Sequence, residues 1–326
     1  MVSMQDIADR LGVSRSTVSL VLSGKAGSKV SEAVKKKVLE TAREMNYHIN
    51  SLARSLRTGE SQLISVIVAD ISNEFFGRLT SCIQEEAKKA GYLVLTINSN
   101  ESAREFDEMA GVLIGKKVDG IIAVPAPEGE KGLERIQRQG VPLVTVDRLC
   151  EDLPVSYVGV DNYGSSRDLM HRLLEDGYRR ISLVGLDIGV PPLQQRRAAY
   201  IDAMNEAGLS SYIDIRLVPF QENEEEQIGE ALRNLQDSEA IFFTSRRIFA
   251  LAMSHIARGG LKVPPPECFA CFDDVSSFLA PCSDFRCIGQ PVEEMARVAF
   301  DLLIRQIKGD KAPVRRIFPA SYMRIR

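Results

Sequence analysis

Gly12-Val13-Ser14 stands between two short amphipathic segments, and the residues beyond it are of the types that read nucleic-acid bases. Ser3 can cap a helix from Met4 to Leu11, and Ser14 can cap a second running from Arg15 to about Leu22. Two helices joined by so short a turn form a helix-turn-helix, whose second helix enters the major groove. Arg15, Ser16, Ser19 and Leu20 lie on its outward side near the start. Arg15 can bond guanine O6 and N7 bidentately, Ser16 is an adaptable hydrogen-bonding group, and Leu20 offers an apolar contact to a thymine methyl. Thr17 and the helix N-terminus can hold a phosphate. A helical hairpin used for protein contact has the same spacing and stays open as the alternative.

Other chemistries find little to work with. The three histidines, His48, His171 and His255, belong to the N-terminal segment or to helical patterns, and neither a phosphate-binding P-loop nor a Gly-x-Ser-x-Gly elbow occurs. Catalysis is not expected. Cys268-x2-Cys271 and Cys282-x4-Cys287 superficially resemble paired zinc ligands. Cys268 and Cys271 fall in a predicted strand, however, where an odd offset turns them to opposite faces. They are read as core thiols, and neither a metal nor a cofactor is expected.

The elements that must position these residues divide the chain in two. Residues 1–60 carry ten Lys/Arg against six Asp/Glu, a net +4, whereas the rest is net −7. A basic head on an acidic body points to a polyanionic partner for the head alone. Ser31 can cap a third head helix with Val34, Val38, Ala42 and Met45 inward. Asn50 can then cap a short segment with Leu52, Ala53 and Leu56 on one side and Arg54 and Arg57 on another; it is too short to hold as a helix alone. Beyond Gly59, strand-length apolar runs alternate with helical patterns: Leu63–Ala69, Leu93–Ile97, Gly120–Val124, Leu143–Val146, Tyr157–Val160, Ile181–Leu186, Ile213–Val218, Ala240–Thr244 and Cys268–Phe272. Such alternation predicts parallel sheets with helices on both faces, and nine strands suit two sheets divided near Asp161 better than one. Glu222–Glu226 reads as a solvated helix start. No apolar run is long enough for a membrane span and no signal-peptide core opens the chain, so a cytoplasmic, nucleoid-associated protein without membrane partners is expected.

The stretch from Asp6 to Leu22, DIADRLGVSRSTVSLVL, closely resembles the N-terminal signature of the LacI/GalR (lactose/galactose repressor) family. The resemblance continues through Val30-Ser31, Asn46-Tyr47, Asn50…Ala53-Arg54-Ser55-Leu56, Asp70-Ile71-Ser72-Asn73-Glu74-Phe75-Phe76, Val118–Ile122, Asp147-Arg148, Asp161–Gly164, Phe272-Asp273-Asp274 and Gln290-Pro291. It implies a helix-turn-helix domain over 1–49, a hinge helix and linker over 50–60, and a periplasmic-binding-protein-like core of two doubly wound parallel-sheet lobes over 61–326. The N-lobe would hold about 61–160 and 290–320, and the C-lobe about 161–289 and 321–326. It further implies a homodimeric repressor of carbohydrate-utilisation genes on a palindromic operator, controlled by a small sugar-like effector between the lobes. Ser14, Arg15, Ser16, Thr17, Ser19 and Leu20 would contact the operator, joined by Asn50, Ala53, Arg54 and Leu56 of the hinge, with Leu56 wedging the central base step. A sugar-binding enzyme of this fold and a non-specific DNA binder are the competing readings.

Effector contacts implied by the resemblance are Ser72, Asn73, Phe76, Arg148, Asp161, Arg196, Ser245, Arg246 and Asp273. The chain departs from the family at several of its positions. Ile49 stands where proline usually precedes the hinge asparagine, Glu74 replaces a proline, and Leu20 stands where many members have arginine. Arg246 aligns with an aspartate that binds sugar hydroxyls. Arginine only donates, so Arg196 and Arg246 converging in one cleft predict an effector that carries a negative charge.

Overall fold

The computed structural model describes residues 2–23, 26–47, 59–220, 223–235, 237–276 and 285–325. The hinge residues Asn50, Ala53, Arg54 and Leu56, and Cys282, lie outside them. The chain separates into two units, residues 1–61 and 62–326.

In the first unit α1 (Met4–Leu11), α2 (Arg15–Leu22) and α3 (Glu32–Glu44) surround a small core of Ile7, Ala8, Val18, Val21, Ala26, Val38 and Ala42. Ser3 and Asp6 form a capping box at the start of α1. Gly12 ends that helix at φ 64°, a left-handed backbone that glycine takes without Cβ strain. Leu22, Val34 and Met45, expected inside, are half-buried at the rim.

The second unit holds two six-stranded sheets. Its elements in chain order are β1 (Leu63–Val68), α4 (Glu74–Lys89), β2 (Leu93–Asn98), α5 (Ala103–Gly115), β3 (Gly120–Ala123), α6 (Glu130–Arg138), β4 (Leu143–Val146) and β5 (Ser156–Val160). The chain then crosses to α7 (Asn162–Glu175), β6 (Ile181–Asp187), α8 (Pro191–Glu206), β7 (Asp214–Pro219), α9 (Glu224–Arg233), β8 (Ala240–Phe243), α10 (Arg246–Ala257), β9 (Phe269–Phe272) and β10 (Phe285–Gly289). It returns with α11 (Val292–Ile307) and β11 (Arg315–Phe318), and crosses once more into β12 (Ser321–Ile325).

The sheet orders are β11-β5-β4-β3-β1-β2 and β12-β10-β9-β8-β6-β7, so the two lobes repeat one winding. All pairings are parallel except β10 with β12. Strands buried on both faces, such as Ile121-Ile122-Ala123 and Phe242-Phe243, are apolar throughout, as covered parallel sheets require. α11 packs so closely that a Cβ on Gly120 would meet Leu303 Cδ1 at 2.8 Å.

The expected strands appear as β1 to β9, with one correction: Cys268 ends a 3-10 turn before β9, so its offset from Cys271 is not a strand offset. Cys271 and Cys287 are buried opposite each other on β9 and β10. The acidic run at the start of α9 is also corrected. Glu224 is not solvated; its side chain is 10% exposed and bonded to Arg247.

Candidate functional sites

On the head, Ser14 accepts from the Thr17 amide at 3.1 Å and shares hydroxyl contacts with Ser16 (2.7 Å) and Thr17 (2.8 Å). The cap thus fixes the start of α2 and leaves Arg15 exposed beside it. Ser19 and Leu20 are half-buried, and Leu20 packs against the head core, so its apolar surface is only partly presented. Arg10 reaches Glu44 at 3.2 Å, tying α1 to α3.

In the second unit, the carboxyl ends of strands from both sheets surround a cleft, the usual ligand position in open α/β sheets. Asn73, Phe76, Arg148, Arg196, Ser245 and Asp273 all line it, as expected. Three expected contacts do not. Ser72 lines a separate hollow beside the cleft and donates to Asp70 at 2.6 Å. Asp161 is exposed, its carboxylate turned back to cap α7 through the Gly164 amide at 2.8 Å. Arg246 turns out of the cleft, donating to the Asp274 carbonyl at 2.6 Å and pairing with Glu74. Arg247 takes the wall position instead.

Two aspartates give the cleft its chemistry. Asp147 follows β4 and Asp273 follows β9, equivalent strands of the two lobes, and both backbones are left-handed (φ 68° and 92°). Each amide still bonds the neighbouring strand at 2.9 Å, Asp147 to Val158 and Asp273 to Ile288. Non-glycine residues held in this way cost energy and cluster at functional sites. Burial pushes the Asp147 carboxyl up to about 6; Arg148 and Arg196 oppose that rise, while Asp273 and Glu101 add to it. Sequence reading quoted Asp147 as a motif residue without assigning it to the site.

The cations are already engaged. Arg148 forks onto Glu101 at 2.5 and 2.6 Å. Arg247 forks onto Glu224 at 2.9 and 3.1 Å and reaches Asp70 at 2.7 Å. Arg196 donates to Asn162 (2.9 Å) and the Thr244 carbonyl (2.8 Å) with its guanidinium 3.5 Å from the Phe272 ring centroid. Burial pulls its pKa down. By contrast, Ser245 Oγ, Gln290 Oε1 and Arg148 Nε are buried without a hydrogen-bond partner. Phe75, Phe220, Val190 and Leu193 supply apolar wall. Among the described residues no group of three His, Cys, Asp or Glu is placed to hold a metal, and no helix is long and apolar enough to cross a membrane.

A helix-turn-helix head joined to a two-lobed core with a polar interlobe cleft defines a ligand-responsive DNA-binding protein. Residues 3–50 match the profile of the bacterial regulatory proteins of the lacI family, and residues 64–311 that of the periplasmic binding protein domain. The chain is 27% identical over 315 residues to the HTH-type transcriptional regulator KdgR of Bacillus subtilis, covering 95% of this chain and 92% of that protein. It is 29% identical over 313 residues to the HTH-type transcriptional repressor CytR of Escherichia coli, covering 94% and 90%. A solved structure of the lac repressor dimer bound to operator and an anti-inducer has its fold, at TM-score 0.83, 19% identity and coverage of 99% and 98%. The chain belongs to the LacI family and is a DNA-binding transcriptional regulator.

Proposed function

We propose that this regulator is a repressor of carbohydrate-utilisation genes that releases or grips its operator according to whether a neutral, hydroxyl-rich sugar occupies the cleft. The observation that carries the effector class is the set of unpartnered polar atoms: Ser245 Oγ, Gln290 Oε1 and Arg148 Nε. Donors and acceptors stand mixed beside two carboxylates, and a hydroxyl, which both donates and accepts, answers all of them. The expectation of a negative charge rested on Arg196 and Arg246 converging in the cleft. With Arg246 outside and Arg148 and Arg247 paired to carboxylates, the cleft holds less uncompensated positive charge than that expectation required, and Arg196 is bonded to Asn162 and the Thr244 carbonyl.

The head acts on a near-palindromic operator as a homodimer, with Arg15 reading a base, Ser14, Ser16 and Thr17 fixing the helix start on the backbone, and Ser19 and Leu20 completing the groove contact. The hinge residues Asn50, Ala53, Arg54 and Leu56 enter the minor groove. The structural neighbour is itself a dimer on operator DNA, and Leu93 and Leu95 on the edge strand β2 are exposed apolar residues suited to a second copy. The protein works in the cytoplasm and catalyses nothing.

Calorimetry with paired neutral and acidic pentoses and hexoses, followed by operator titration with the best binder, tests this reading. A neutral sugar should bind and change operator affinity. Tight binding of uronates or sugar phosphates with neutral sugars inert would overturn the effector class.

A further inference from the structure

The first two residues of α10, Arg246 outside the cleft and Arg247 on its wall, both reach the other lobe. Arg246, whose side chain is 12% exposed, donates to the Asp274 carbonyl in its own lobe and pairs with Glu74 at the start of α4. Arg247 is held by Glu224 in its own lobe and extends Nη1 to Asp70, 2.7 Å away at the end of β1. Ser72, which donates to Asp70 Oδ1, fixes that carboxylate for the contact. Each guanidinium is therefore anchored in one lobe and ion-paired across the gap to the other. The side chains of Asp70 and Glu224 are 12% and 10% exposed, so the Arg247 arm works largely out of water, where charges attract more strongly. An open hollow lined by Asn73, Glu74, Arg246 and Arg247 among others lies beside these pairs, with Asn73 and Arg247 shared with the cleft.

We propose that Arg246 and Arg247 form an electrostatic latch across the cleft mouth that holds the lobes together without help from a ligand. The anchoring matters: a guanidinium already fixed by its own lobe loses little further freedom on meeting the opposite carboxylate. Opening the lobes would strand Asp70 and Arg247 partly desolvated, whereas Glu74, at 58% exposure, could return to water at small cost. The latch therefore has a firm arm through Arg247 and a yielding one through Arg246. It sets how readily the cleft opens to admit its effector, and so the fraction of molecules competent to bind. It also explains the pairing of Glu74 with Arg246, both departures from the family pattern. The proposal takes the cleft to be the effector site, but its test uses no sugar, so a failed sugar screen leaves it standing and its own failure leaves the sugar reading intact.

The test is pulsed EPR on the full chain, with Cys82, Cys150, Cys268 and Cys282 changed to serine and spin labels at exposed Arg104 in one lobe and Lys262 in the other. At low salt the parent should show a dominant short interlobe distance. Glu74→Arg, which sets like charges face to face, should raise the long-distance share about two- to fivefold, the range for loss of one partly exposed pair. The exchange Glu74→Arg/Arg246→Glu should restore the short distance, and 1 M NaCl should lengthen the parent distribution. Glu74→Gln serves if the reversal disturbs folding, as circular dichroism would reveal. Asp70→Asn, which removes the carboxylate of the firm arm, should open the lobes more than Glu74→Arg. A parent distribution unmoved by Asp70→Asn and by Glu74→Arg would overturn the latch, as would an exchange variant that stays as open as Glu74→Arg.

Discussion

Replacing Asp147 with asparagine should stabilise the core at neutral pH while weakening its response to ligand. In the folded chain burial raises the Asp147 carboxyl from 3.8 to about 6. A raised pKa means that the folded state binds its proton more tightly than the unfolded chain does. The associated stability is complete below about pH 4 and is lost as pH rises through about 6. At 1.36 kcal/mol per unit, the full loss is about 3 kcal/mol, an upper bound because the cleft admits water. Asparagine keeps the shape, stays neutral at every pH and tolerates the left-handed backbone at this position, where φ is 68°. Urea unfolding of the core at pH 4 and pH 7.5, followed by circular dichroism, should find the two proteins similar at pH 4. At pH 7.5 the variant should be more stable by about 1–3 kcal/mol. A variant less stable at pH 7.5, or a difference unchanged between the two pH values, would refute the assignment of Asp147 as a carboxylate held in the cleft against its own stability. Because a hydroxyl donating to Asp147 favours the charged form, sugar affinity should fall about tenfold from pH 7 to pH 5 in the parent and hardly change in the variant.

Arg15→Ala should cost about 1–3 kcal/mol of operator binding per half-site and relax one base position, read by titration against single-base operator variants; a uniform loss on all sequences would make Arg15 a phosphate contact. Gly12→Ala, forced to φ 64°, should lower the stability of the head by about 1–2 kcal/mol, seen as an earlier first transition in thermal unfolding. Leu56→Ala should weaken specific binding more than binding to random DNA, since a wedge matters only where the duplex is kinked, and equal losses on both would show mere packing.

Local pattern carried much of the fold. Ser3, Gly12 and Ser14 fix the ends of α1 and α2 by caps and a left-handed turn, interactions that span a few residues and are therefore visible in sequence. The short apolar runs of β1, β3, β4 and β8 are buried on both faces, and strand length with β-branched residues between turn signals sets them apart from buried helix segments. β10, β11 and β12 escaped notice for a physical reason. β11 reads Arg315-Arg316-Ile317-Phe318 on an exposed sheet edge, and β10 carries Arg286, a charge made tolerable only by Asp176 and the Glu267 carbonyl, both distant in sequence. The common winding of the two lobes was legible only through the family resemblance, because equivalent strands share a position in the sheet rather than a run of residues.

At the cleft, Asp273 at a strand end and Asn73 and Ser245 at helix starts lie where they were expected, whereas Asp161 and Arg246, also beside helix starts, do not. Asp273 occupies a turn whose direction is set by parallel neighbours, so a motif at the end of a strand points to the cleft; the same rule applied to Asp147-Arg148 would have found Asp147, which was not assigned to the site. Asp161 also follows a strand, but the next residue begins α7, and the orphan amides of a helix start claim its carboxylate before any ligand can. Arg246 shows how sharp the dependence becomes. Successive helical residues are turned by about 100°, so at the start of α10 a shift of one position separates the cleft wall from its mouth. Ser245 holds the N-cap position without a side-chain capping bond and faces the cleft, Arg246 is carried to Glu74, and Arg247 comes round to Asp70 and Phe220. An ungapped alignment carries residue types across but holds no information about where a helix begins. That one boundary decides which arginine stands on the cleft wall: Arg247, already shared between Asp70 and Glu224, and not Arg246.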